Sequence, residues 1–133
     1  MANILLVDDT PGNLELLETL CHHVGHTTRR AGSVTAGLDL ARAQRPDLVI
    51  SDIHMVPLDG YDLLRTLKAD PQLTAIPVIM VSMSGGYGVD SHKAVELGAA
   101  KFLPMPADPQ VVLTEIQTCL EMAEPSQGTR RPS

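Results

Sequence analysis

One pattern narrows the folds open to this chain more than any other. A short apolar run is followed by a helical repeat, five times in succession. NILLV (3–7), DLVIS (47–51) and PVIMVS (77–82) are continuous apolar runs of strand length, rich in branched residues. HTTRR (26–30) and KFL (101–103) are weaker strand candidates. Between them the period changes. From Asn13 onward, Leu14, Leu17, Cys21 and Val24 recur on one helical face, with Pro11 and Gly12 read as the preceding turn. Helices are also predicted over 33–44, with Ser33 as N-cap, over 60–69, over 89–98 closed by Gly98, and over 108–122, with Asp108 as N-cap and Pro109 at N1. SGGYG (84–88) reads as a loop.

Strands that are apolar throughout must be covered on both faces, and parallel strands joined by helices meet that demand. Right-handed crossovers then favour a doubly wound α/β sandwich. The 133 residues suffice for one domain with a real core. There is no Trp, one Phe and two Tyr, so aliphatic residues and Met must fill that core. A net charge of −6 argues against a nucleic-acid surface. No apolar run approaches the roughly 20 residues of a membrane span, and the first residues lack the features of a signal peptide. Cys21 and Cys119 are too few for a disulfide framework, so free thiols in a cytoplasmic protein are expected.

In sheets of this kind, ligands bind beyond the carboxyl ends of the strands. Those ends carry Asp8-Asp9, Ser51-Asp52 and Ser82. If the first and third strands are neighbours, about 4.8 Å apart, their carboxylates repel one another. Two unit charges at about 4 Å interact by about 4 kcal/mol at an effective dielectric near 20. A hard divalent cation relieves such a cluster, and oxygen ligands with room for water suit Mg²⁺. Read alone, Asp8-Asp9 is equally an N-cap beside a helix dipole, and Ser82 an ordinary strand-end hydroxyl.

Four segments in this order, ILLVDDTPGN, SDIHMVPLDG, PVIMVS and GAAKFLPMP, resemble the receiver domain of bacterial two-component response regulators. The resemblance covers about residues 3–122. It implies a flavodoxin-like (βα)5 sandwich with a five-stranded parallel sheet in the order 2-1-3-4-5. It implies a signalling module rather than an enzyme. Asp52 would accept a phosphoryl group from a sensor histidine kinase or a phosphotransfer protein. Mg²⁺ would be held by Asp9, Asp52 and the backbone carbonyl of His54, with Asp8 acting through water. Ser82 would hydrogen-bond the phosphoryl group. The response would reach a downstream output protein or domain through the face formed by helix 4, strand 5 and helix 5. Neither direct nucleic-acid binding nor membrane contact is implied. The receiver domain is expected over 1–123, and 124–133 as a flexible tail or the start of a linker.

The chain departs from the family pattern at Met105, which falls where the family has a lysine reaching toward the phosphoryl group. Lys101, four residues earlier, does not obviously replace it. The family frame also implies a cis Met105-Pro106 bond. Thr10 replaces a frequently acidic residue, and Pro57 stands one position later than usual. Phe102 matches a position whose aromatic swings between exposed and buried rotamers; simple core packing is the other reading. His22, His23 and His26 read as a solvated helix end rather than a metal site. Met55, Met80, Met83 and Met122 read as core filler.

Other readings stay open. One is a pseudo-receiver, an interaction module working without phosphate, which the missing lysine favours. A haloacid-dehalogenase-like phosphatase needs an acid two residues after its nucleophile, where this chain has His54. A flavin carrier of the same topology needs a phosphate-cradling loop after the first strand, where this chain has an acid pair.

Overall fold

A computed structural model describes residues 2–83 and 89–128, with side chains for residues 2–83 and 90–122. The segment SGGYG (84–88) lies outside the described residues. Five strands alternate with five helices: β1 Asn3–Val7, α1 Pro11–His23, β2 Thr27–Ala31, α2 Val34–Ala43, β3 Leu48–Asp52, α3 Gly60–Ala69, β4 Val78–Ser82, α4 Val89–Glu96, β5 Lys101–Pro104 and α5 Pro109–Gly128. The strands form one parallel sheet in the order β2-β1-β3-β4-β5, as expected.

The continuous apolar runs resolve into two alternating sets. Ile4, Leu6, Leu48, Ile50, Ile79 and Val81 point to one side, where they pack with Leu14, Leu17 and Cys21 of α1 and Val112, Ile116 and Cys119 of α5. Leu5, Val7, Val49, Val78 and Met80 point to the other, against α2, α3 and α4. Successive side chains on a strand face opposite ways, so a strand covered on both faces must be apolar at every position. Each fully buried Leu or Ile contributes about 1.5–3 kcal/mol relative to exposure. Both cysteines are free and buried, and burial pushes the Cys21 thiol up to about 11.

Several element ends differ from expectation. Pro11 and Gly12 are not a turn but the first residues of α1. Proline suits that position, because its missing N–H would have had no helical partner and its φ is already helical. Ser33 caps α2, its hydroxyl accepting from the Ala36 N–H at 3.1 Å. Asp59 and Asp62 form a reciprocal capping box at α3. Asp108 accepts from the Gln110 N–H at 2.8 Å and opens α5. That helix does not stop at Met122 but continues to Gly128, so part of the expected tail is helical. Met55 and Met80 are buried, and Met83 packs against the α1/α5 core, but Met122 is 73% exposed and fills no core.

The histidines near the end of α1 form no common site. His22 Nε2 pairs with the Thr28 hydroxyl, and His26 Nδ1 accepts from the Ala2 N–H. Among the described residues no helix is long and apolar enough to cross a membrane.

Candidate functional site

The parallel register brings the carboxyl ends of β1, β3 and β4 to one sheet edge. Val7 pairs with Ser51, and Asp52 with Val81, so Asp8 stands one residue beyond the β1–β3 pairing and Ser82, paired with Pro104 of β5, one residue beyond the β3–β4 pairing. Asp8, Asp9 and Asp52 each offer a carboxylate oxygen, and these oxygens lie within 4.8 Å of one another. Asp8 and Asp52 are buried, whereas Asp9 is exposed. Beside them opens a cleft of about 270 Å³ lined by Asp9, His54, Met55, Val56 and Asp59.

The two buried carboxylates are held differently. One oxygen of Asp8 accepts from the Thr10 N–H at 2.9 Å, and the other from Asn13 Nδ2 at 3.1 Å. Burial nevertheless raises the Asp8 pKa, against the pull of these bonds. The Asp52 pKa is raised further, to about 6, first by burial and then by the neighbouring Asp8 charge. The N–H groups of Ile53 and Met83 and the nearby His54 act the other way. Asp52 Oδ1 is buried without a hydrogen-bond partner. An orphaned carboxylate oxygen among two more carboxylates fits a hard cation and oxygen ligands. The donor set therefore suits Mg²⁺.

Gly60 fixes how closely α3 approaches this edge. Its N–H donates to the Ile53 carbonyl at 2.8 Å. A Cβ there would collide with the Asp52 carbonyl oxygen and come within 2.6 Å of Met80 Cε.

Ser82 is fully buried at the end of β4, and its carbonyl accepts from the Met105 N–H at 2.9 Å. Met105 follows β5, two strands away from β3. Its side chain is buried in the α1/α5 core with Leu103 and Val112, and the Met105-Pro106 bond is cis, as is Val56-Pro57. Lys101 is committed elsewhere: its Nζ pairs with Glu115 of α5 at 3.5 Å. Phe102 is half-buried and packs on the α2–α4 side.

One group near the site was not foreseen from sequence. Asp90, on the first turn of α4, accepts from the Tyr61 hydroxyl at 2.8 Å through Oδ1 and pairs with His54 Nε2 at 3.2 Å through Oδ2. Lys93 Nζ lies over the Tyr61 ring, 4.4 Å from its centroid.

Residues 4–117 match the family model of the response regulator receiver domain. The chain is 35% identical over 120 residues to Protein PilH of Pseudomonas aeruginosa, covering 90% of this chain and 98% of PilH. It is 32% identical over 117 residues to the response regulator PleD of Caulobacter vibrioides, covering 88% of this chain but 26% of PleD. Its fold superposes with a TM-score of 0.83 on the signal receiver domain of a signal transduction histidine kinase from Syntrophus aciditrophicus. That similarity covers 91% of each chain at 31% identity. With its sheet order and its acidic edge, this chain belongs to the response regulator receiver domain family.

Proposed function

We propose that this receiver accepts a phosphoryl group on Asp52 from a phosphohistidine of a sensor histidine kinase or phosphotransfer protein. One observation carries the reading: the buried, unpartnered oxygen of Asp52 amid the carboxylates of Asp8 and Asp9. A carboxylate oxygen of Asp52 attacks phosphorus, the P–N bond breaks, and the electron pair stays on the imidazole nitrogen. The product is an acyl phosphate. Phosphoryl transfer asks the protein for positioning and charge neutralisation rather than covalent help. A carboxyl group titrating near 6 is ionised at neutral pH and more nucleophilic than an ordinary carboxylate.

Asp9, Asp52 and the His54 backbone carbonyl would hold Mg²⁺, with Asp8 acting through water and oriented by Asn13 and the Thr10 N–H. Bound there, Mg²⁺ offsets the negative charge of both the carboxylates and the incoming phosphoryl oxygens. Ser82 donates its hydroxyl to the phosphoryl group, and the change reaches the α4–β5–α5 face, with Phe102 part of the response. Output then passes to a downstream protein or domain; the chain spans nearly all of PilH but about a quarter of PleD.

A second reading has its own support. Met105 is buried in an apolar core, and Lys101 is paired on α5, so β5 brings no charge to the site from either residue. This favours an interaction module that works without phosphate. Titration with Mg²⁺ and beryllofluoride, an acyl-phosphate mimic, followed by fluorine NMR separates the two. A bound fluoride signal lost in Asp52→Asn supports the phosphoacceptor; no bound signal in wild type supports the module.

A further inference from the structure

Asp90 is unusual among the polar side chains of α4. Its side chain is only 15% exposed, and each of its oxygens serves a different residue of another element. Oδ2 holds His54, two residues beyond Asp52 in the loop leaving β3. Oδ1 holds the hydroxyl of Tyr61, a buried residue on the first turn of α3. Tyr61 follows Gly60, whose N–H is bonded to the Ile53 carbonyl and whose Cα lies against the Asp52 backbone. Lys93, one turn further along α4, covers the Tyr61 ring. Two routes therefore lead from the backbone around Asp52 into α4, and they meet at one carboxylate.

We propose that Asp90 is the positioning residue through which loading of the Asp52 site is transmitted to α4. The inference rests on the proposed phosphoacceptor reading and adds its route of output. The His54 backbone carbonyl would hold the cation while its side chain bonds Asp90 on α4, so a shift of that loop would be felt directly at Asp90. Tyr61 does the same from the α3 side, with a firmer anchor because its ring is buried. With Met105 in the opposite core and Lys101 paired to Glu115, this route gives α4 a link to the site that does not pass through the side chain of either residue.

The test compares wild type, Asp90→Ala, Asp90→Asn and Tyr61→Phe, each titrated with Mg²⁺ and beryllofluoride. Fluorine NMR reports loading, and amide shifts of residues 89–96 report the response of α4. All four proteins are expected to load. The α4 shifts should fall by about half or more in Asp90→Ala, where both links go, and less in Tyr61→Phe, where one remains. Asp90→Asn keeps an acceptor for the Tyr61 hydroxyl and should recover part of the response. If Asp90→Ala fails to fold, Tyr61→Phe still decides, since it removes one hydroxyl and keeps the ring under Lys93. A full α4 response in loaded Asp90→Ala, or in loaded Tyr61→Phe should Asp90→Ala not fold, overturns the inference. So does a loaded wild type in which α4 does not move, and in either case the phosphoacceptor reading stands. A wild type that does not load overturns that reading, and this inference with it.

Discussion

The Cα of Gly60 lies so close to the carbonyl oxygen of Asp52 that no side chain fits between them. A Cβ would also come within 2.9 Å of Ile53 Cα and 2.6 Å of Met80 Cε. Two of these three neighbours are backbone atoms, which cannot step aside by a rotamer change. Gly60→Ala is therefore expected to destabilise the fold by about 1–3 kcal/mol, the usual cost of overpacking. It should also displace Asp52 and weaken Mg²⁺ binding. Denaturant unfolding and Mn²⁺ line broadening of the amides of residues 8–10 and 52–54 check both halves.

Asp52 gives the stability a defined pH dependence. Its folded pKa, about 6, stands above the ordinary 3.8, so the unfolded chain loses this proton first. The protonated carboxyl is favoured by the fold; stability from this group is full below about pH 4 and is lost as pH rises through about 6. The gap corresponds to at most about 3 kcal/mol. Asp8 is shifted in the same direction and adds to the effect. Without Mg²⁺, Asp52→Asn should melt higher than wild type at pH 7 and converge with it near pH 4. Saturating Mg²⁺ should shrink the difference at pH 7. Calorimetry across this range checks the sign; a mutant less stable at pH 7 contradicts it.

Asn13 holds one oxygen of the buried Asp8. Its removal leaves that oxygen short of a donor and free to turn from the cation. Asn13→Ala should weaken Mg²⁺ binding by about 2- to 10-fold, the equivalent of about 0.5–1.5 kcal/mol. Asp9→Ala should weaken it further, because a proposed direct ligand goes. Calorimetric titration with Mg²⁺ measures both, and an Asn13→Ala affinity equal to wild type removes Asn13 from the site.

Met105→Lys tests what the apolar side chain does at its position. The lysine stem can follow much of the path of methionine past Leu103 and Val112, but its ammonium must leave the core for the acidic edge. A charge-assisted hydrogen bond to a phosphoryl group there is typically worth about 1.5–3 kcal/mol. The expected outcome is a larger amide response on loading across residues 89–106, with little change in phosphorylation yield. A wild type that already responds fully, with nothing added by the lysine, means that another group serves in its place.

The sheet was legible because its three inner strands, β1, β3 and β4, are apolar runs covered on both faces, and two of them, β1 and β3, lead into the acids of the sheet edge; β2 and β5 carried weaker signals. Asp8, Asp9 and Asp52 could be found together because parallel register turns strand ends into neighbours. The start of α1 was less legible, since Pro11-Gly12 signals a turn and a helix opening equally well. The Asp90 link was hidden: it joins residues 36 and 29 positions apart in the chain, and no local period encodes such a pairing. Gly60 was hidden too, since a glycine after a cap does not announce what its missing side chain makes room for. Met105 was conspicuous as a departure, but that its side chain settles in the α1/α5 core required the fold.

The most direct test of the account is intact-protein and peptide mass spectrometry after incubation with Mg²⁺ and acetyl phosphate. The expected result is one added phosphoryl group, located on Asp52, absent in Asp52→Asn and absent when Mg²⁺ is chelated. An unmodified wild-type protein, or a phosphoryl group found on another residue, contradicts it.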